Sequence, residues 1–327
     1  MYVVGLDIGY SNLKLVMGDA YADSPTRSVV MPAGAGPISY MPQRLGGDER
    51  TKDFVRVLVG GKEWVAGVEP GRLQAVDREL HKDYFRTNAY EALFHAGLLQ
   101  SDRAVIDHLV TGLPVYQYQD NDAKLRVQKC MTGTHNPIGD KMVKVNKVSV
   151  LPQPAGAYLD LVRTFDDIAL LDEGRVLIID PGFFSVDWVT LEGGEIRSSS
   201  SGTSLKAVSV LLEKVNQLIA EEHDGRVGID QLEKALRRGT SKVLLFGNRV
   251  DVKPYLDKAV ESVAAEALTS LRQAMRTDDK NIDVVMIAGG GAEAYRHAVS
   301  EIFPKSRIFV PTDPVLSNAR GFWSFGA

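Results

Sequence analysis

The sequence holds a single cysteine, Cys130, among its 327 residues. One cysteine can form no disulfide within the chain, and it cannot build a cysteine-held metal or iron–sulfur site by itself. Disulfide scaffolds are therefore excluded. Such sparing use of cysteine is typical of a reducing compartment, so we expect a cytoplasmic protein.

Long apolar runs are also lacking. No run approaches the roughly 18 residues that a membrane span requires. The N-terminal segment MYVVGLDIGY lacks a basic region and meets a charge at Asp7, which is untypical of a secretion signal. The segment instead predicts a buried strand, and we expect no membrane partner.

Positive charge is not in excess either. Lys and Arg number 38 against 42 Asp and Glu, which gives a net charge of -4. General nucleic-acid binding needs a basic surface, so we expect no direct sequence-specific DNA binding. The short basic run of Lys141, Lys144 and Lys147 predicts a solvated strand face. The length indicates two domains of roughly 150 residues each.

The two halves of the chain open in the same way. YVVGLDI at residues 2–8 is an apolar run that ends in an aspartate, and LKLVM follows after a short turn. RVLIID at residues 175–180 repeats the pattern before Pro181-Gly182 and FSVDWVTL. This repetition predicts duplicated α/β domains with mixed sheets and a cleft between them.

Hydrophobic periodicity places the remaining elements. The stretch 20–50 is rich in Pro, Gly and Ser, and it predicts irregular structure. The pattern predicts helices over 87–99, 155–164, 205–220, 229–237, 254–275 and 292–302, and strands over 55–59, 63–68, 104–111, 142–151, 282–288 and 307–311.

The first candidate site is the turn within Asp7–Lys14. Successive backbone N–H groups in a tight turn of Gly, Ser and Asn form a nest that favours a phosphate. Lys14 on the exiting strand adds a positive charge. Asp7 at the strand end is suited to a hydrated Mg²⁺, which binds through few carboxylates and several waters. An ordinary hairpin with an edge aspartate is the alternative.

The second candidate site, Asp180–Asp187, follows the same logic. An aspartate ends a buried strand, and a glycine turn, a hydroxyl and a second aspartate follow. Asp187 is either a chemical group or a residue that stabilises the turn. Two such turns facing each other would clamp the phosphates of one nucleotide.

The third element is Gly289-Gly290-Gly291, between a predicted strand and a predicted helix. Glycines let the backbone approach a flat ligand closely, and a helix N-terminus favours anions. The string is not a P-loop, and the chain contains no G-x-G-x-x-G.

The fourth element is Leu151–Gly156, which joins the two halves. Its small residues favour a close helix crossing. Gln153 either orients a water, as glutamine does in nucleotide hydrolysis, or is a solvent-facing linker amide.

Taken in order, these elements resemble those of the actin-like ATPases, specifically the bacterial plasmid-segregation branch called ParM or StbA. The opening motif Asp-x-Gly-x-[ST]-Asn-x-Lys is similar to Asp7–Lys14, and the second phosphate loop is similar to Asp180–Asp187. The adenosine motif resembles Gly289–Glu293. The two connectors resemble Pro152–Gly156 and Leu316–Gly321.

The resemblance implies an α/β, actin-like (ribonuclease H-like) duplicated two-domain fold with a nucleotide cleft between the domains. Residues 1–151 plus 309–327 would form domain I, and 152–308 domain II. It also implies ATP or ADP as the ligand, slow hydrolysis of the γ-phosphate and nucleotide-dependent filaments. A DNA-bound adaptor protein on a plasmid centromere-like site would capture the filament ends.

The resemblance also assigns roles by position. Asp7 and Asp180 would hold Mg²⁺ through water, and Gln153, or Asp187 in its place, would position the attacking water. The residues expected to contact the nucleotide are Gly9, Tyr10, Ser11, Asn12, Lys14, Gly182, Phe183, Phe184, Ser185, Gly289, Gly290, Gly291 and Glu293.

Two departures from the family pattern keep alternatives open. Many relatives have Gly-Thr where this chain has Phe183-Phe184. Plasmid relatives often have Glu at the position that Gln153 occupies here. One alternative is a small-molecule kinase of the same superfamily, with Asp187 as its candidate base. The other is a non-polymerising, nucleotide-gated scaffold.

Overall fold

The computed structural model describes residues 1–21, 25–42, 54–74, 83–205, 207–237, 240–276 and 281–327. These residues divide into two compact units. Unit 1 comprises Met1–Arg163 and Val315–Ala327, and unit 2 comprises Thr164–Pro314. Within the described ranges, no helix combines the length and apolar character needed to cross a membrane.

Unit 1 carries the elements of the first half of the chain. In chain order they are β1 (Tyr2–Ile8), β2 (Asn12–Asp19), β3 (Arg27–Pro32), β4 (Gly34–Pro37), β5 (Val55–Val59), β6 (Lys62–Val68), α1 (Asn88–Ser101), β7 (Val105–Leu113), α2 (Val115–Tyr118), α3 (Asn121–Met131), β8 (Gly133–Ile138), β9 (Lys141–Pro152) and α4 (Gln153–Thr164).

Unit 2 carries the elements of the second half, and the last helix returns to unit 1. In chain order they are α5 (Ile168–Glu173), β10 (Arg175–Pro181), β11 (Val186–Glu192), β12 (Glu195–Ile196), β13 (Gly202–Ser204), α6 (Val208–His223), α7 (Ile229–Arg237), β14 (Lys242–Leu245), β15 (Asn248–Asp251), α8 (Lys253–Arg276), β16 (Val284–Ile287), α9 (Ala292–Ile302), β17 (Arg307–Phe309) and α10 (Ser317–Gly326).

The two main sheets share the same central arrangement of strands. In unit 1 the strand order is β3-β2-β1-β7-β9-β8, and in unit 2 it is β12-β11-β10-β16-β17. Each sheet centres on a strand that pairs antiparallel with the next strand in the chain and parallel with a later one: β1 with β2 and β7, and β10 with β11 and β16. The predicted duplication with mixed sheets is therefore confirmed.

The central strands are apolar because the sheets are covered on both faces. Every residue of β10 is buried, and so is all of β1 after Tyr2. In unit 1, α1 packs against β1, β2 and the small sheet β4-β6-β5. Its N-terminus is capped by the Thr87 hydroxyl, which accepts a hydrogen bond from the Tyr90 amide at 3.2 Å.

The prediction of irregular structure over 20–50 is wrong for residues 27–32 and 34–37, which form strands. β3 pairs with β2 as the edge of the main sheet, and β4 pairs with β6. Residues 22–24 and 43–50 of the predicted stretch lie outside the described residues. β4 is rich in glycine and has few side chains that favour a strand. Its extended conformation is stabilised by backbone pairing with β6, which requires no particular side chains.

Helices α4 and α10 cross closely in unit 1. A Cβ at Gly321 would overlap the carbonyl oxygen of Gly156, so only glycine permits this approach. Arg320 adds a bidentate ion pair with the buried Asp160, at 2.8 and 2.6 Å. The small residues of the connector thus do favour a close crossing, as expected.

This crossing bears on the domain boundaries. The expected boundaries lie at 151/152 and 308/309, whereas the compact units divide after Arg163 and after Pro314. The difference arises because α4 packs on α10 and is therefore grouped with unit 1.

Two exposed features of unit 1 lie outside these contacts. Lys141, Lys144 and Lys147 are all exposed on β9, as predicted, but their spacing of three residues places Lys144 on the opposite face of the strand from the other two. The single cysteine, Cys130, is exposed on α3.

Candidate functional site

The first turn connects β1 to β2 in unit 1. The two strands pair so that Asp7 lies opposite Lys14. Inside the turn the Gly9 amide donates to the Asn12 carbonyl at 3.0 Å, and the Ala33 amide donates to the Ser11 carbonyl at 2.9 Å. The Gly9 amide is therefore used by the turn itself.

Asp7 lies at the centre of this turn's polar contacts. Its carboxylate is completely buried. Oδ2 lies 2.7 Å from Lys14 Nζ, and Oδ1 accepts a hydrogen bond from Gln153 Nε2 at 2.9 Å. A buried charge requires such partners, because its desolvation is costly unless it is paired. The structure thus brings together Asp7, Lys14 and Gln153 from three separate elements.

Asn12 carries a buried side-chain atom without a hydrogen-bond partner. Its Nδ2 donates to the Ser11 hydroxyl at 3.3 Å, while Oδ1 is buried and makes no hydrogen bond. Buried polar atoms in this state are rare in native structures. In the present orientation, Oδ1 would accept a hydrogen bond from a metal-bound water. Rotation of the amide by 180° would place Nδ2 there instead, where it would donate to a phosphate oxygen.

The second turn connects β10 to β11 in unit 2 and has its own internal hydrogen bonds. Asp180 lies opposite Asp187 in the strand pair. The Gly182 amide contacts the Asp180 carbonyl at 3.0 Å and the Ser185 carbonyl at 2.8 Å. The amide of Gly182, an expected phosphate donor, is thus engaged inside the turn.

Asp187 is buried, and it anchors this turn. Its Oδ2 accepts from the Ser185 hydroxyl at 2.6 Å, and its Oδ1 accepts from the Thr203 hydroxyl at 2.5 Å. Both carboxylate oxygens are therefore engaged by neighbouring hydroxyls. This arrangement favours the structural alternative for Asp187, a residue that stabilises the turn.

The two phenylalanines of the second turn occupy different environments. Phe183 is buried, whereas Phe184 is half-buried. The Phe183 carbonyl accepts from the Ser209 amide at 2.9 Å, and the Gly182 carbonyl accepts from the Val208 amide at 3.3 Å. These bonds tie the turn to the first residues of α6.

The glycine loop packs directly against the end of β10. Gly289 has φ +73, and a Cβ there would overlap Asp180 Oδ1. The Gly291 amide donates to the Pro181 carbonyl at 3.0 Å. The structure therefore brings the second and third sequence elements together within unit 2. Gly290 has open space around it, which leaves room for a ligand beside its backbone.

Glu293 lies apart from these contacts. It is exposed in the first turn of α9, and its carboxylate lies 3.9 Å from Arg296.

Sequence reasoning missed several residues around these turns. Thr203 lies on β13 and reaches Asp187 only because β13 pairs with β11. Tyr84 stacks on Tyr10 of the first turn, with ring centroids 4.5 Å apart. Burial raises the pKa of Tyr90, and the neighbouring Tyr84 and the negative charge of Asp7 raise it further. The sequence carries no local signal for such contacts.

No cluster of three His, Cys, Asp or Glu side chains that would suit a metal ion occurs among the described residues. Mg²⁺ commonly binds through one or two carboxylates and keeps several waters. Asp7 in unit 1 and Asp180 in unit 2 each carry hard oxygen donors of the kind that this ion prefers. The orphaned Asn12 amide oxygen fits one of its waters.

Comparisons with known proteins support the fold described above. Residues 5–156 match the model of the actin-like protein N-terminal domain. Residues 178–301 match the model of the C-terminal domain of the archaeal MreB-like actin homologue. Together the two models span most of the chain. Among curated proteins, none matches significantly.

Solved structures share the fold over their whole length. A non-polymerisable quadruple mutant of pCBH ParM is 21% identical, with a TM-score of 0.74 and coverage of 99% of this chain and 98% of that one. A 15-stranded ParM filament from Clostridium botulinum is 20% identical, with a TM-score of 0.72 and the same coverage.

An archaeal actin homologue, Ta0583, in complex with ADP is 19% identical, with a TM-score of 0.74 and 99% of both chains covered. The expected duplicated two-domain fold is thus confirmed. With both family models matched in chain order and the same fold in these structures, the chain belongs to the actin-like proteins.

Proposed function

We propose that this protein is an ATPase that binds Mg·ATP through its two aspartate turns and the glycine loop. One observation carries the proposal. Two sheets with the same central strand arrangement each place a buried aspartate near the end of the central strand, next to a tight turn. A relative of the same fold has been solved with ADP, which supports a nucleotide as the ligand.

Lys14 supplies the positive charge of the first turn. Its ammonium group is held 2.7 Å from Asp7, and its positive charge is suited to a phosphate oxygen. Phosphoryl transfer requires little covalent work from a protein, so positioning and charge neutralisation account for most of the catalysis. Bound Mg²⁺ would neutralise phosphate charge.

Gln153 is the candidate for orienting the attacking water. Because its Nε2 is directed to Asp7, its Oε1 is the end that would accept a hydrogen bond from water. A neutral amide orients water without removing its proton. Slow hydrolysis of ATP to ADP and phosphate is the expected result.

We further propose that the chain polymerises into nucleotide-dependent filaments in the cytoplasm. A ParM filament from Clostridium botulinum and a ParM mutant that no longer polymerises share the fold, which supports self-assembly here. Plasmid DNA segregation through a DNA-bound adaptor protein is the matching cellular role. The exposed lysines of β9 are the proposed contact with the adaptor complex.

A kinase of the same fold is less well supported. Its candidate base was Asp187, but both oxygens of this carboxylate accept hydrogen bonds from Ser185 and Thr203. A base needs an accessible lone pair directed at the acceptor hydroxyl.

The test combines nucleotide binding, phosphate release and light scattering with pelleting. Pure protein receives Mg·ATP, Mg·ADP or a non-hydrolysable ATP analogue. The proposal predicts binding of ATP, slow phosphate release, and scattering with ATP and the analogue but far less with ADP. Asp180→Ala should abolish these responses, whereas the exposed Asp257→Ala on α8 should retain them.

Other outcomes would contradict parts of the proposal. Binding without phosphate release or pelleting would favour the nucleotide-gated scaffold. Turnover that rises strongly with one small-molecule acceptor would favour the kinase. Absence of nucleotide binding would overturn the proposal as a whole.

A further inference from the structure

Three tyrosines form a continuous aromatic contact that begins at the first turn. Tyr10 lies in the turn itself, between Gly9 and Ser11. Its ring stacks on that of Tyr84 at a centroid distance of 4.5 Å, with 23° between the ring planes. The Tyr84 ring in turn meets Tyr90 edge-on, at 5.6 Å and 86°.

The far end of this contact is rigid. Tyr84 is buried in a single 3-10 turn, Tyr84–Arg86, just before α1. Tyr90 is buried in the first turn of α1, where its backbone amide donates to the capping hydroxyl of Thr87. The Thr87 hydroxyl also donates to the Tyr84 carbonyl at 2.8 Å. The start of α1 thus holds Tyr84 by both its backbone and its ring.

The Tyr10 end of this aromatic contact lies in the turn and is less buried than the Tyr84–Tyr90 end. The backbone of the turn is held by the Gly9–Asn12 hydrogen bond and by the bond from Ala33 to Ser11. Tyr10 itself is half-buried. A side chain stacked on a fixed ring restricts the turn that carries it, and offset-stacked pairs of this kind are favourable beyond their area burial.

We propose that Tyr84 is a positioning residue that holds the first turn in its phosphate-binding conformation through its stack on Tyr10. Tyr84 acts through another residue and touches no nucleotide. The role in nucleotide binding rests on the proposed function, whereas the ordering of the turn does not. The phenol hydroxyl of Tyr84 is not required, because ring stacking alone carries the effect.

The first test measures the turn in the nucleotide-free protein. Hydrogen exchange of the amides of residues 9–12 is compared between wild type, Tyr84→Leu, Tyr84→Phe and Tyr10→Ala. We expect faster exchange in Tyr84→Leu and Tyr10→Ala and near wild-type exchange in Tyr84→Phe. Tyr40→Ala, which removes an exposed ring of unit 1, is the matched control. Unchanged exchange in Tyr10→Ala, which removes a half-buried ring at the edge of the core, would overturn the proposal.

The second test measures the Kd of Mg·ATP by titration. Tyr84→Leu should weaken binding about fivefold, the factor that corresponds to the roughly 1 kcal/mol of an aromatic pair. Tyr84→Phe should restore it. In a double-mutant cycle, Tyr10→Ala with Tyr84→Leu should bind no more weakly than either single variant.

The failures of the two proposals are distinguishable. One outcome is that wild type binds ATP while the Kd of the double variant rises by the product of the two single-variant factors. In that case Tyr84 does not act through Tyr10, and the positioning role is wrong. If wild type binds no nucleotide while exchange responds as expected, the proposed function fails and the ordering of the turn by Tyr84 stands.

Discussion

Gly289 shows how a backbone angle and a neighbouring side chain can together require glycine at one position. An alanine there would adopt a left-handed φ of +73, which L-residues rarely do, and its Cβ would overlap Asp180 Oδ1. We expect Gly289→Ala to lower the free energy of unfolding by about 3 kcal/mol, from backbone strain plus overpacking. Urea denaturation measures this change.

Gly290→Ala is the matched control for this prediction. A Cβ at Gly290 meets nothing within 4 Å, and its φ lies outside the left-handed region. The control should unfold within about 0.5 kcal/mol of wild type. Equal losses in the two variants would show that the loop does not pack against Asp180 as described.

Lys14 illustrates the cost of breaking a buried pair. Its side chain is 14% exposed, and the Asp7 side chain it contacts is 1% exposed. Lys14→Met leaves an uncompensated buried carboxylate, so we expect a loss of about 3–5 kcal/mol in unfolding free energy. In the exposed pair Lys253–Asp257 on α8, Lys253→Met should cost less than about 1 kcal/mol. Similar losses in both variants would contradict the buried pair.

At the scale of elements, the crossing of α4 and α10 depends on the absence of side chains at the contact. We expect Gly321→Ala to destabilise unit 1 by about 3 kcal/mol, because its Cβ would overlap the backbone of Gly156. Ser324→Ala, on the same helix but half-buried, should have little effect. Thermal unfolding followed by circular dichroism distinguishes them, and an undisturbed Gly321→Ala would refute the close crossing.

The junction of α1, β8 and β5 contains a pair of histidines. His95 Nδ1 contacts the Leu58 carbonyl at 2.7 Å, His135 Nε2 contacts the Met131 carbonyl at 3.0 Å, and the ring centroids lie 6.1 Å apart. Burial lowers the pKa of both rings. The backbone hydrogen bonds partly oppose the effect of burial, as does the negative charge of Glu91.

This pair predicts a pH dependence of stability. Because the folded pKa values lie below the unfolded value of about 6.5, the folded state binds fewer protons, and stability falls as the pH drops below that value. Replacing both histidines by glutamine should reduce the difference between urea midpoints at pH 7.5 and pH 5.5. His297→Gln, at an exposed position on α9, should leave that difference unchanged. An unaltered difference in the double variant would contradict the prediction.

At the scale of the whole molecule, the two units have separate cores. Leu109 is fully buried in the core of unit 1, and Leu177 in that of unit 2. Proteins with two domains commonly depart from two-state unfolding. We expect calorimetry of the nucleotide-free protein to give a calorimetric enthalpy above the van't Hoff enthalpy. Leu109→Ala and Leu177→Ala should each lower a different transition. A single transition shifted equally by both variants would be evidence against independent cores.

Much of this architecture could be predicted from the sequence because its signals are local. The strand over 175–180, the glycine loop and the helix over 87–99 are each signalled by consecutive residues. The contacts that define the candidate site are not local. Gln153 reaches Asp7 across 146 positions, and Thr203 reaches Asp187 across 16. Only the sheet topology brings such pairs together, and a single sequence does not encode it in any local pattern.

The wrong prediction for the stretch that contains β3 has a physical basis as well. β3 is an edge strand with mostly exposed or half-buried residues, so it lacks the alternation that identifies a strand. The structure also adds detail that residue type does not give, since the amides of Gly9 and Gly182 each form a hydrogen bond within their own turn. Residue type predicted the turns, whereas the hydrogen bonds that close them required coordinates.

The lone thiol of Cys130 also makes the protein convenient to observe. It is exposed on α3, and the sequence contains no other cysteine, so a maleimide dye would attach to each chain at one known position. Stepwise photobleaching would then count the subunits in any assembly, one bleaching step per labelled chain. A protein of this composition thus needs no engineered label site for single-molecule microscopy.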